Sequence, residues 1–279
     1  MIDLHSHILP GIDDGARDEA VSLAMARAAV SDGTRVLACT PHVHPGRYDN
    51  VAPDIERRVE LLRARLRDEG IALDLVAGAD VHAAPDLART LGRSVPTLAG
   101  TRYFLFEPPH DVLPPGLVEH TRHIVGEGFI PILTHPERLR WVPRHYDAFE
   151  ALNHAGCLVQ VTANAITGRF GPDVAALARR MLCEGCVDIV ASDAHNVTGR
   201  PPILSPARAV VAELLGEAEA ELAFAGRPAA ILRDETLDPV GRATQGRRVR
   251  RRRAEPDGAR GRRAGAPRSR SWTQRLLGR

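Results

Sequence analysis

Three observations predict an α/β fold built as a closed or nearly closed barrel of the TIM-like (β/α) type. Short apolar runs rich in β-branched residues alternate seven times with stretches of helical period, the pattern of parallel strands joined by crossover helices. Several helical stretches end in a glycine just before the next run, where a helix C-cap requires a positive φ. Polar residues gather just beyond the apolar runs, where barrel enzymes carry their chemistry, and this placement favours the barrel over a doubly wound open sheet.

The first run, Ile2–Leu4, leads to His5, His7, Asp13 and Asp14. Gly33 closes the helix that follows, and Val36–Cys39 leads to His42 and His44. The next helix carries Ile55, Val59, Leu62 and Leu66 on one face; Gly70 ends it, and Leu73–Ala77 leads to Asp80 and His82. Tyr103–Phe106 runs directly into Glu107. Gly128 precedes Ile130–Leu133, which leads to His135, Glu137 and Arg138. Gly156 precedes Leu158–Val161, with Gln160 inside it and Asn164 beyond it. Val174, Leu177, Met181 and Leu182 then form one helical stripe, Gly185 ends it, and Asp188–Ala191 leads to Asp193, His195 and Arg200. Six of the seven runs therefore deliver a histidine or carboxylate to the same rim.

Composition excludes several chemistries. All 37 basic residues among the 279 are arginine, so Schiff-base catalysis, a lysine-bearing phosphate loop and a carbamylated lysine bridging two metals are ruled out. A cysteine-based phosphatase needs an arginine six residues after its cysteine, but those positions after Cys39, Cys157, Cys183 and Cys186 hold Pro45, Ala163, Ile189 and Ser192. The Cys183-x-x-Cys186 pair has no second pair to complete a zinc site. Neither a signal-peptide pattern nor an apolar run long enough to span a membrane is present, so a cytoplasmic protein is expected.

The formal charge of +2 conceals a division. Residues 1–241 hold 23 Arg against 33 acidic residues, whereas residues 242–279 hold 14 Arg against Glu255 and Asp257. Residues 1–240 are expected to form the domain, and 241–279 an Arg-rich tail too poor in apolar residues to fold alone.

The rim residues are metal ligands by type. His5-x-His7 at a strand end makes a chelate, because alternate side chains share one side, and Asp193-x-His195 repeats the spacing at the far end of the chain. Imidazole and carboxylate without thiolate suit Mn, Fe, Zn or Ni. Two or three close divalent ions need a bridging carboxylate, for which Glu107 is the best candidate. Clustered cations lower the pKa of bound water and attract oxyanions, which points to phosphate-ester hydrolysis. Arg138 and Arg200, beside these ligands, can hold phosphate oxygens bidentately.

The segments MIDLHSHILPGIDDGA, TPHVHPG, YFLFEPP, THPER, QVTANAITGRFG and SDAHN followed by RPP closely resemble the metal-dependent protein-tyrosine phosphatases of bacterial capsule and exopolysaccharide operons, within the polymerase and histidinol phosphatase (PHP) superfamily. The resemblance covers residues 1–235. It implies a distorted (β/α)7 TIM-like barrel (PHP fold) with a trinuclear, usually manganese-preferring site that dephosphorylates a partner tyrosine kinase. By motif, His5, His7, Glu107 and Asp193 would hold one ion, Asp80, Glu107 and His135 a second, and Asp14, His42 and His195 a third. Arg138 and Arg200 would bind phosphate, and His42 or His195 could deliver a proton to the leaving phenolate. The sequence departs from the family at Asp80, where glutamate is usual, and the choice of Asp14 over Asp13 rests on the family pattern alone.

A histidinol-phosphate or other small phosphomonoester phosphatase is the alternative within the superfamily. The RRVRRRR run raises nucleic-acid binding through the tail, but the acidic body and scarce aromatics argue against it. The tail is also expected to meet an anionic inner membrane surface, with Trp272, Leu276 and Leu277 as a weak apolar anchor, near a membrane-associated kinase.

Overall fold

The computed structural model describes residues 1–237, so the Arg-rich tail lies outside the described residues. In chain order the elements are β1 (Ile2–Asp3), α1 (Glu19–Ser31), β2 (Val36–Cys39), β3 (His42–Val43), α2 (Ala52–Asp68), β4 (Asp74–Ala77), β5 (Asp80–His82) and α3 (Leu87–Thr90). There follow β6 (Tyr103–Glu107), α4 (Leu117–Gly126), β7 (Ile130–Thr134), α5 (Tyr146–His154), β8 (Leu158–Thr162), α6 (Ala163–Ile166), α7 (Pro172–Cys183) and β9 (Ile189–Ala191). The elements α8 (Ser205–Leu215), α9 (Glu217–Glu221) and α10 (Arg227–Leu232) complete the order.

All strand pairs are parallel. They form a three-stranded sheet, β1-β2-β4, and a six-stranded sheet, β3-β5-β6-β7-β8-β9. The seven expected strands are all present, and β3 and β5 are two more that no apolar run announced. The registers show what they are. Cys39 faces Ala77 and His42 faces Asp80, at the same sequence offset, so β3 and β5 continue the β2–β4 ladder beyond a break. Pro41, which has no N–H to donate, lies in that break. The ladder survives it through Gly78 N donating to Cys39 O (3.0 Å) and Asp80 N to Pro41 O (3.1 Å).

The strands alternate between two apolar environments, as strands buried on both faces must. Leu4, Ala38, Tyr103, Leu105, Ile132, Leu158 and Ile189 pack together, joined by Leu98 and by Ile231 of α10. The intervening residues, among them Leu37, Phe104, Phe106, Leu133, Val159 and Val190, pack in the layer that includes Ile55, Val59, Leu62 and Leu66 of α2 and Met181 of α7. The stripe expected on α7 is present, with Ala175 and Ala178 buried and Val174 and Leu177 partly buried. Gly33, Gly70, Gly128, Gly156 and Gly185 all have positive φ, as their C-cap positions demand. Beyond β1, Asp193 N donates to His5 O (2.9 Å) and His7 N to Ala194 O (2.8 Å), forming a bridge between Ser6 and Ala194.

Candidate metal centre and phosphate pocket

The residues that follow the strands converge. His5 and His7 are held by that bridge on one side and by Thr40 N donating to Ser6 O (2.9 Å) on the other. His135 and Asp193, immediately and two residues after β7 and β9, have φ of 36° and 52°. A left-handed backbone costs a non-glycine residue of order 1–3 kcal/mol, and such residues cluster at functional sites.

Donor atoms approach one another at distances that fit a shared cation. His5 Nε2 lies 3.2 Å from His7 Nε2, 3.4 Å from Asp193 Oδ1 and 3.5 Å from Asp80 Oδ2. His7 Nε2 lies 3.5 Å from Asp193 Oδ1. Asp14 Oδ1 lies 3.5 Å from His42 Nε2 and 3.4 Å from His195 Nε2. His42 Nδ1 lies 3.4 Å from Asp80 Oδ2 and 3.5 Å from Glu107 Oε2, and Glu107 Oε1 lies 3.5 Å from His135 Nε2. Ligands bonded tetrahedrally at about 2.1 Å sit roughly 3.4 Å apart. Four groups of potential ligands result: His7, Asp14, His42 and His195; His5, His7 and Asp193; His42, Asp80 and Glu107; Glu107, His110 and His135. Asp80 is fully buried and neither carboxylate oxygen has a hydrogen-bond partner, an arrangement that a cation would satisfy and an apolar interior would penalise.

The imidazoles are oriented from behind. His7 Nδ1–H donates to Asp13 Oδ2 (2.6 Å), His5 Nδ1–H to Gln160 Oε1 (2.8 Å) and His195 Nδ1–H to the Asp193 carbonyl (3.1 Å), which directs each Nε2 lone pair inward. Asp13 and Asp14 thus separate by geometry: Asp13 also accepts from the Gly15 and His42 backbone, while Asp14 faces the cluster. Glu137, expected on the rim, is instead buried, with Oε1 accepting from Thr162 N (2.9 Å). Burial, aided by the charge on His7, pushes His42 down to about 4, and burial lowers His195 and takes His135 well below the usual range; all three are neutral and fit to ligate. Burial opposes charge on His7 too, but the carboxylates of Asp13 and Asp193 raise it to about 10, so a cation ligated at its Nε2 would displace a proton from that nitrogen. Burial likewise disfavours the Asp193 carboxylate, yet His5 and Arg200 hold it well below the ordinary range.

Both expected arginines reach this centre. Arg138 Nη1 donates to Asp193 Oδ2 (2.6 Å), Arg200 Nη2 contacts the same oxygen, and Arg200 Nη1 donates to His195 Nε2 (2.8 Å). They border a cavity of about 490 Å³ together with Asp14, His42, Glu107, His135 and Asp193. Its outer wall holds residues not expected as site residues: Arg47, Tyr48 and His110, with His44 stacked on His82 at 3.9 Å. Tyr48 stacks on His42 at 5.5 Å. A histidine three residues beyond Glu107 was the only signal for His110; Tyr48 and Arg47 gave none, because their positions depend on the turn that pairs His44 with Tyr48.

The family model described as "Capsular polysaccharide synthesis, CpsB/CapC" matches residues 1–233. Tyrosine-protein phosphatase YwqE of Bacillus subtilis is 36% identical over 201 residues, covering 72% of this chain and 79% of the relative. Tyrosine-protein phosphatase CpsB of Streptococcus pneumoniae is 28% identical over 245 residues, covering 85% and 100%. A solved structure described as part of "Crystal structures of YwqE from Bacillus subtilis and CpsB from Streptococcus pneumoniae, unique metal-dependent tyrosine phosphatases" superposes with a TM-score of 0.82 at 33% identity, covering 86% of this chain and 98% of that one. The matched span runs from before His5 to beyond Arg200, and the chain belongs to the CpsB/CapC family of capsular polysaccharide synthesis.

Proposed function

We propose that this protein is a metal-dependent protein-tyrosine phosphatase that hydrolyses phosphotyrosine on a membrane-associated bacterial tyrosine kinase controlling capsule or exopolysaccharide synthesis. The observation that carries this reading is the clustering of ten imidazole and carboxylate residues into overlapping sets of potential ligands, six of which border one cavity together with Arg138 and Arg200. The relatives named above as tyrosine phosphatases support it. The fold is read as a distorted (β/α)7 barrel whose ring closes through the Ser6–Ala194 bridge.

His5, His7, Glu107 and Asp193 would hold one ion, Asp80, Glu107 and His135 a second, and Asp14, His42 and His195 a third, manganese being preferred. Bound there, two or three divalent cations supply Lewis-acid stabilisation of the phosphoryl oxygens and acidify water. Arg138 and Arg200 present planar donor forks to the same oxygens and fix their orientation as charge develops. The leaving group is a phenolate of pKa about 10, so it needs less proton assistance than an alkoxide. The Arg47, Tyr48, His44 and His82 wall receives the phenyl ring, a surface that a small aliphatic phosphate would leave unused. The protein acts in the cytoplasm, its basic tail drawing it to anionic inner-membrane lipid near the kinase; no helix among the described residues is long and apolar enough to cross a membrane.

The test compares turnover of a phosphotyrosine peptide with that of histidinol phosphate, with Mn²⁺ and after chelation, in wild type and His135→Ala. The expected result is metal-dependent preference for the peptide, with metal and turnover lost together in the variant. Undiminished activity after complete metal removal refutes the mechanism, and preference for histidinol phosphate reassigns the substrate.

A further inference from the structure

We infer that His110 is a direct ligand of the ion held by Glu107 and His135, an assignment that rests on the metal-centre reading above. Glu107 Oε1 faces two imidazoles, His110 Nε2 at 3.1 Å and His135 Nε2 at 3.5 Å. The donor atoms of these three residues lie within 4.8 Å of one another, whereas Asp80 groups with His42 and Glu107. Asp80 Oδ2 is directed between His5 Nε2 (3.5 Å) and His42 Nδ1 (3.4 Å). His110, from beyond the end of β6, thus adds a further donor to the ion that Asp80, Glu107 and His135 would hold, on the side of Glu107 Oε1.

The position of His110 is built. Pro108 and Pro109 restrict the backbone before it. Trp141 Nε1–H donates to the Pro109 carbonyl (3.0 Å), Arg140 N–H to the His110 carbonyl (2.8 Å), and Arg140 Nη1 pairs with Asp111 at 3.0 Å. These contacts tie the chain before, at and after His110 to the segment that follows His135 and Arg138. The two rings stand 5.1 Å apart, tilted by 42°, and His110 borders the cavity with Arg138 and Arg200. The Nε2 that meets Glu107 becomes a lone-pair donor in the other neutral tautomer, with the proton on Nδ1.

The ordinary alternative is that His110 only donates a hydrogen bond to Glu107, and the experiment separates the two. Full-length wild type, His110→Ala and His110→Gln are stripped of metal and titrated with Mn²⁺ by calorimetry. Each is also reloaded with Co²⁺ for proton NMR, with circular dichroism to verify folding. Glutamine keeps a hydrogen-bond donor for Glu107 but replaces a strong imidazole ligand. The expected result is that both variants bind one ion at least about tenfold more weakly and lose one paramagnetically shifted, exchangeable imidazole N–H signal. Wild-type affinity in His110→Gln, or an unchanged set of shifted signals in either variant, overturns the assignment while leaving the metal centre standing. Failure of wild type to bind either ion overturns the metal-centre reading itself.

Discussion

His7 shows how a residue outside the cluster can govern it. Its Nδ1–H is committed to Asp13 at 2.6 Å, so Asp13→Asn removes the acceptor charge that fixes the tautomer. Metal affinity is expected to fall about 10- to 100-fold with the fold intact, measurable by Mn²⁺ titration and circular dichroism. Arg138→Ala should behave oppositely: kcat/KM for phosphotyrosine peptide drops by about 10²–10³, while metal content by elemental analysis is unchanged. The cysteines test what the chemistry is not. Cys39 and Cys157 are buried and Cys183 is exposed; burial pushes the Cys39 thiol up to about 12 and raises Cys157 as well. An unfolded thiol ionises near 9.0, so between pH 9 and 12 only the unfolded chain releases the Cys39 proton. The Cys39 contribution is therefore constant below about pH 9 and is lost progressively above it, by up to about 4 kcal/mol. At pH 8, a thiol reagent should label only Cys183 and Cys186 rapidly. Fast labelling of a third thiol would contradict the burial.

Among the connecting elements, the loop after β1 leaves no room for a side chain at Gly15. A side chain at Gly15 would place its Cβ 2.1 Å from the His7 carbonyl oxygen and 2.3 Å from His7 Cβ. No side-chain rotation relieves a backbone overlap. Gly15→Ala should cost about 1–3 kcal/mol and displace His7, read as a lower thermal midpoint together with weaker metal binding. This loop also shows where sequence reading stopped. His5-x-His7 and Asp193-x-His195 were legible because alternation along an extended strand puts both side chains on one side. The seven strands that apolar runs announced were legible because burial against two apolar layers demands such runs. The strands β3 and β5 were not, because His42–Val43 and Asp80–His82 carry polar residues of the site where the apolar pattern should be. Glu137 looked like a rim carboxylate by proximity to His135, yet a one-turn helix over Pro136–Arg138 sends it toward β8 and sends Arg138 to Asp193. The pairings of Gln160 with His5 and of His110 with Glu107 join different strands or a strand and a loop, and local periodicity carries no such information.

At the scale of the whole chain, charge and chemistry are expected to separate. A variant lacking residues 241–279 loses a strongly basic segment that contains none of the site residues named above. Its kcat/KM on a short phosphotyrosine peptide should stay within about twofold of wild type, while co-sedimentation with anionic vesicles falls and becomes insensitive to salt. Equal vesicle binding by the two proteins would remove the membrane role. Potential ligands from His5 to His195 cluster beside the cavity that Arg200 borders, and the bridge between Ser6 and Ala194 joins the beginning of this span to its end. A chain is synthesised from its N-terminus and its early segments fold first. His5 and His7 therefore leave the ribosome long before Asp193 and His195 exist to face them. The site is thus a late feature of the domain, and a nascent chain cannot present a finished ion cage until translation has passed its final strand.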